Sequence, residues 1–138
     1  VALPPGDLLG GVHRSVGEYV NLWDYIPEDR GSDESHRLDT GRAGDRVYTR
    51  DLFTLQESPR LGAGIMEMTD TAFPWTLNYD EMDYVISGRL DILINGDKIS
   101  AGPGELLYIP KGSSIQFSVT GHARFLYFVY PADWQKQA

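Results

Sequence analysis

Between Arg89 and Ser100 the chain reads RLDILINGDKIS, and its centre admits very few backbone solutions. Asn95 and Gly96 together supply the two consecutive positive φ angles that a two-residue type I′ hairpin turn requires. On the approach, Leu90, Ile92 and Ile94 alternate with polar or smaller residues, the period of a strand with one buried face. Similar punctuation recurs at Ser58-Pro59-Arg60, at Thr69 to Ala72, in AGPGE and in TGHA. Between these turn strings lie RVYTRDLFTLQ, LGAGIMEM, LLYIP, SSIQFSV and RFLYFVY, all short and rich in β-forming residues. Strands this short and evenly spaced, with almost no helical period, predict an all-β sandwich or small closed barrel.

The 138 residues suffice for one domain with a real core and are few for two. Glu28 to Arg46, EDRGSDESHRLDTGRAGDR, offers Leu38 as its single large apolar side chain. It cannot repay the ordering of its backbone by burial and reads as a long mobile loop. The predicted division is therefore an N-terminal arm and polar loop over 1–46 and a barrel over 47–138. In the arm, GEYVNLWDYI brings Tyr19, Leu22, Trp23 and Ile26, read as a strand laid on the main body. The closing PADWQKQA reads as a turn with Trp134 packing back.

Several function classes drop out on composition. No apolar run is long enough to span a bilayer, and VALPPGDLLGG lacks the charge and apolar core of a secretion signal. A chain with no cysteine forms no disulfide and no thiolate metal site, which fits a reducing cytosol. A net charge of −8 without a Lys/Arg stripe repels phosphodiester backbones, so nucleic-acid binding is not expected.

Glycine and proline spacing carries the next inference. Gly104, Pro110 and Gly112 encode a turn, a strand, a rigid corner and a second turn. With Glu81 and Gly88 upstream, and a hairpin from Arg89 to Pro103 between, the pattern from Tyr48 to Tyr130 resembles the two-motif signature of the cupin superfamily. That resemblance implies a double-stranded β-helix, a jelly-roll barrel of six to ten strands. It also implies where imidazole ligands would stand. Those positions hold Pro74 and Thr76, or Trp75 and Leu77, in the first motif and Ile115 in the second. With all three imidazoles gone, no Fe, Mn, Zn or Ni site is expected, and His13, His36 and His122 read as surface residues. The strings FPWTLNYDEMD, IPKGSSI, FLY and PADWQ further resemble the cupin domain of the EutQ family of ethanolamine utilisation proteins.

Strand alternation puts Tyr79, Glu81, Asp83 and Val85 on the inner face and Asp80, Met82 and Tyr84 outside. Two carboxylates about 6–7 Å apart along one strand face raise at least one pKa unless a cation, a shared proton or free water intervenes. Three readings stay open. Glu81 and Asp83 hold Mg²⁺ as part of a catalytic set with Lys111, the last reaching a phosphate from the barrel rim. Alternatively, Phe73, Trp75, Tyr79 and Phe117 line a metal-free pocket in which the carboxylates bind a small polar or cationic ligand. Or the carboxylates are solvated, the aromatics are core, and the domain assembles with itself or a shell protein. The family resemblance implies an acetate kinase activity with ATP and Mg²⁺, a small-molecule substrate, and a cytoplasmic protein associated with a bacterial microcompartment. Exchange of the apolar arm between subunits makes a homodimer the expected assembly.

Overall fold

The computed structural model describes residues 36–137; the expected strand at Gly17 to Ile26 lies outside them, as does His13. Eight strands follow in order: β1 His36–Arg37, β2 Arg46–Asp51, β3 Gly62–Thr76, β4 Asp80–Ser87, β5 Leu90–Ile94, β6 Asp97–Ala101, β7 Leu106–Ile109 and β8 Ser114–Tyr130. Among the described residues a 3₁₀ turn, Trp134–Lys136, follows β8. All pairings are antiparallel, and the architecture is the all-β jelly roll that the sequence predicts. No helix among the described residues is long and apolar enough to cross a membrane.

The long strand β8 organises the fold. One edge pairs β3 along nearly its whole length. The other edge pairs β5 through Gln116, Phe117 and Ser118, then β4 from Arg124 to Tyr130. One sheet thus runs β1-β2-β3-β8-β4-β7, while the first half of β8 carries the β5–β6 hairpin. The two halves share one core, in which Phe73, Phe117, Leu90 and Ile92 meet Val47, Met68, Val85 and Phe125.

Two expected turns prove to be bends inside continuous strands. The register between β3 and β8 shifts between Thr69 and Thr71. Asp70 there adopts φ +42° and Gly121, on the facing strand, φ +79°. The Gly121 N–H donates to Asp70 Oδ1 at 2.7 Å, so both strands bend at one place, as paired bulges allow. The Asn95-Gly96 turn follows expectation, with φ +51° and +82°.

The polar loop is not wholly irregular. Within its described part, His36 and Arg37 pair with Thr49 and Tyr48, and the Leu38 N–H donates to the Val47 carbonyl at 2.8 Å. Leu38 packs against the core. That one apolar side chain suffices to anchor the segment, because the β2 edge supplies the backbone partners.

Candidate functional site

Alternation along β4 sets the site. Tyr79, Glu81, Asp83 and Val85 are buried, whereas Met82 and Tyr84 face outward. Glu81 is 5% exposed and Asp83 fully buried. Glu81 Oε2 and both carboxylate oxygens of Asp83 have no hydrogen-bond partner. Burial pushes the Glu81 carboxyl up to about 7, partly offset by its contact with Asp83. Burial raises Asp83 well above the usual carboxylate range, and the adjacent Glu81 charge raises it further. Burial and mutual proximity thus both disfavour ionising the two acids together.

Above the pair stands an aromatic wall. Trp75 Nε1 donates to Tyr79 Oη at 2.7 Å. The Trp134 ring lies 5.3 Å from Tyr79 and 6.1 Å from Trp75, centroid to centroid. Tyr127, inward-facing on β8, donates its hydroxyl to Asp51 Oδ1 at 2.7 Å. Burial raises the pKa of both tyrosines, and neighbouring carboxylates add to it. These side chains, with Phe117 and Glu81, line a cavity of about 20 Å³, room for about one water.

The cavity lies under a wider mouth. Leu38, Thr49, Trp75, Tyr127 and Trp134 belong both to the cavity and to an open depression of about 470 Å³ that adds Arg37, Asp39, Asp51 and Gln135. On the other side of Asp51 and Trp134 a second depression, about 290 Å³, runs between the β2–β3 connection and the 3₁₀ turn. Thr54, Ser58, Asp133 and Lys136 are among its walls.

Of the residues singled out in sequence, Trp75, Tyr79, Glu81 and Phe117 converge on the cavity, with Asp83 beside Glu81. Phe73 does not line it; it is fully buried, packing edge-on against Trp75 and beside Phe117. Lys111, expected at the rim to reach a phosphate, lines neither the cavity nor the two depressions. It sits in the β7–β8 turn, its backbone N–H spent on Asp80 Oδ1 at 2.8 Å and its side chain exposed. Sequence reasoning missed Asp51, Thr49 and Arg37. Trp134 was expected to pack back, but PADWQ carries no sign of what it packs over.

Orphaned carboxylate oxygens are the kind of ligand a hard cation takes, but number and space oppose Mg²⁺ here. Among the described residues no third carboxylate, histidine or cysteine completes a metal-binding group. Mg²⁺ demands near-octahedral oxygen coordination and keeps several waters, whereas the cavity admits about one. Glu81 and Asp83 therefore do not fit the Mg²⁺ expected of them.

The comparisons agree on one family. The family model for "Ethanolamine utilisation protein EutQ" matches residues 26–136. A curated relative from Clostridioides difficile, named acetate kinase EutQ, is 68% identical over 104 residues, 75% of this chain and 66% of the relative. Its namesake from Salmonella typhimurium is 46% identical over 89 residues, 64% of this chain and 39% of the relative. The matched segment thus spans less than two thirds of either relative. The solved structure of the Clostridium difficile EutQ protein superposes with a TM-score of 0.72 at 68% identity, covering 74% of each chain. At the level of fold alone, a cupin superfamily protein from Desulfitobacterium hafniense (17% identical, 62% of this chain and 78% of that one) and the polyketide cyclase RemF from Streptomyces resistomycificus (23%, 64% and 68%) superpose with TM-scores of 0.56 and 0.57. The chain belongs to the EutQ family of ethanolamine utilisation proteins.

Proposed function

We propose that this chain is a phosphotransferase unit of the acetate kinase type, with its substrates at the barrel mouth rather than inside the barrel. The relatives' shared name supports the reaction class. One observation of the molecule carries the placement: two adjoining depressions meet at Asp51 and Trp134, one walled in part by Arg37 and the other by Lys136. Phosphoryl transfer needs positioning and positive charge more than covalent chemistry. Acetate beside Arg37 and a nucleotide triphosphate beside Lys136 would bring the reactants together. A carboxylate oxygen of acetate attacks the γ-phosphorus, the bond to the β–γ bridging oxygen breaks, and that oxygen leaves with ADP. Mg²⁺ enters this reading as part of the substrate MgATP. Thr54 and Ser58 offer hydroxyls on the same wall.

The test is formation of acetyl phosphate from ATP and acetate by the purified chain. Wild-type turnover, lost by tenfold or more in Arg37→Ala and Lys136→Ala, supports the reading. Absence of turnover above background in wild type refutes it and leaves a binding or assembly module. A further observation favours self-assembly whichever way that assay falls. Met82, Tyr84, Ile86, Leu106 and Tyr108 expose a continuous apolar face on β4 and β7, and we propose that a second copy covers it. A cytoplasmic location and association with microcompartment shell proteins belong to the same reading.

A further inference from the structure

The cavity in the barrel interior is lined by one carboxylate, several π faces and neutral hydroxyl and indole groups, with no cationic side chain in its wall. Glu81 Oε2 lines the cavity without a partner, in a side chain 5% exposed. Of the polar hydrogens in the wall, that of Trp75 is spent on Tyr79 and that of Tyr127 on Asp51, which leaves the Tyr79 and Thr49 hydroxyls and the Trp134 N–H as neutral donors. An anion entering here would meet a carboxylate and no cationic side chain to offset it. A donor-rich monovalent cation meets what it needs: the Glu81 carboxylate, hydroxyl oxygens, and the rings of Trp75, Tyr79 and Trp134. The dimensions narrow the choice further. An –NH₃⁺ head is about the size of the one water that the 20 Å³ cavity admits, while a trimethylated head is several times larger. Whatever the head is attached to must extend into the mouth, where Thr49, Asp51 and Gln135 supply polar contacts.

We propose that the cavity is a recognition site for the ammonium head of a short primary amine with a polar tail. Glu81 serves as counter-ion, and Trp75 and Trp134 flank the entry. The site does not depend on the phosphotransferase reading, because neither ATP nor acetate takes part in binding.

Isothermal titration calorimetry on the purified chain, at pH 7.5 without nucleotide, tests the proposal with ethanolamine, choline and ethylene glycol as probes. Ethanolamine is expected to bind one to one. Choline, too large at the head, and ethylene glycol, uncharged, are expected to bind at least tenfold more weakly. Glu81→Gln, with its fold checked by circular dichroism, should weaken ethanolamine by tenfold or more. Equal binding of ethylene glycol, equal binding of choline, unchanged affinity in folded Glu81→Gln, or no binding of ethanolamine would each overturn the assignment. The ligand series needs no variant, so a Glu81→Gln chain that failed to fold would not rescue it.

Discussion

Asp83 and Glu81 share the inner face of β4 two residues apart, and neither oxygen of Asp83 meets a hydrogen-bond donor. The fold therefore favours the protonated form of both acids. In the unfolded chain Glu81 releases its proton near its ordinary value of 4.5, whereas in the folded chain burial holds it to about 7. Between those values the native state binds more protons than the unfolded one, so stability falls as pH rises. Below the lower value the penalty is absent; above the upper one it is complete, on the order of 3 kcal/mol. Asp83, raised in the same direction, extends the decline. The midpoint of thermal unfolding is expected to be higher at pH 5.5 than at pH 8. A midpoint that rose over that interval would contradict the geometry of the pair.

Replacing one acid by its amide removes the conflict. Glu81→Gln leaves Asp83 as the one acid of the pair and supplies N–H groups from which Asp83 can accept. The variant should unfold several degrees higher than wild type at pH 8, and the difference should narrow or vanish at pH 5.5. Differential scanning calorimetry at the two pH values reads this directly. A destabilisation equal at both would assign Glu81 to packing alone.

Tyr127 ties the interior to the mouth through Asp51, and Gly64 leaves it room. A Cβ at Gly64 would stand 2.1 Å from Tyr127 Oη and 2.2 Å from Cζ. Gly64→Ala must swing the phenol away, breaking its bond to Asp51 and reshaping the mouth. Tyr127→Phe breaks the same bond without moving the ring, at about 1 kcal/mol. Ligand affinity at the mouth is expected to fall more in Gly64→Ala than in Tyr127→Phe, and comparable losses would place the effect in the hydroxyl alone.

The residues that announce the fold in sequence are those whose role is local. Asn95-Gly96 requires particular φ angles whatever surrounds it, so its hairpin was legible. Glu81 and Asp83 were legible as inward-facing because strand alternation follows from backbone pleat. Thr69 to Ala72 was misread as a turn because positive φ serves a bulge as well as a reversal, and the facing Gly121 lies 51 residues away. Leu38 was assigned to a mobile loop because its partners on β2 are invisible to local composition. The mouth was the least legible part: Arg37, Asp51 and Trp134 come from three separate segments, and no spacing rule relates them. Lys111 adjoins Pro110 in sequence, but the β7–β8 turn directs it outward to solvent.

Gly88 and Gly121 both hold positive φ, at +77° and +79°, but their surroundings differ. A Cβ at Gly88 would lie 2.1 Å from the His122 carbonyl oxygen and 2.8 Å from Ala123 Cα, both backbone atoms. At Gly121 nothing lies within 4 Å. Gly121→Ala therefore meets only the left-handed backbone penalty, about 1–2 kcal/mol. Gly88→Ala must also separate β8 from the β4–β5 connection and should fail to give a folded chain or lose well over twice as much. Denaturant unfolding of the two variants checks the order; equal losses would mean that the β8 backbone yields without cost.

The outer face of β4 and β7 yields the last expectation. Leu106 and Tyr108 are 58% and 59% exposed, and Met82, Tyr84 and Ile86 continue the surface. They lie in register, Met82 opposite Tyr108 and Tyr84 opposite Leu106, so their side chains form one patch rather than scattered contacts. Toward β8 the patch continues to the half-buried Phe128, opposite Met82, whereas Leu126, opposite Tyr84, is buried. Contiguous apolar surface at the edge of a sheet mostly finds a partner. A two-fold pairing would let the same residues serve both sides. Light scattering at micromolar concentration should give the mass of two chains, and the double variant Leu106→Lys with Tyr108→Glu the mass of one. Because both side chains point to solvent in the single chain, the variant should keep its circular dichroism spectrum. A wild type that stays monomeric throughout would leave this face without its proposed occupant and would end the homodimer reading.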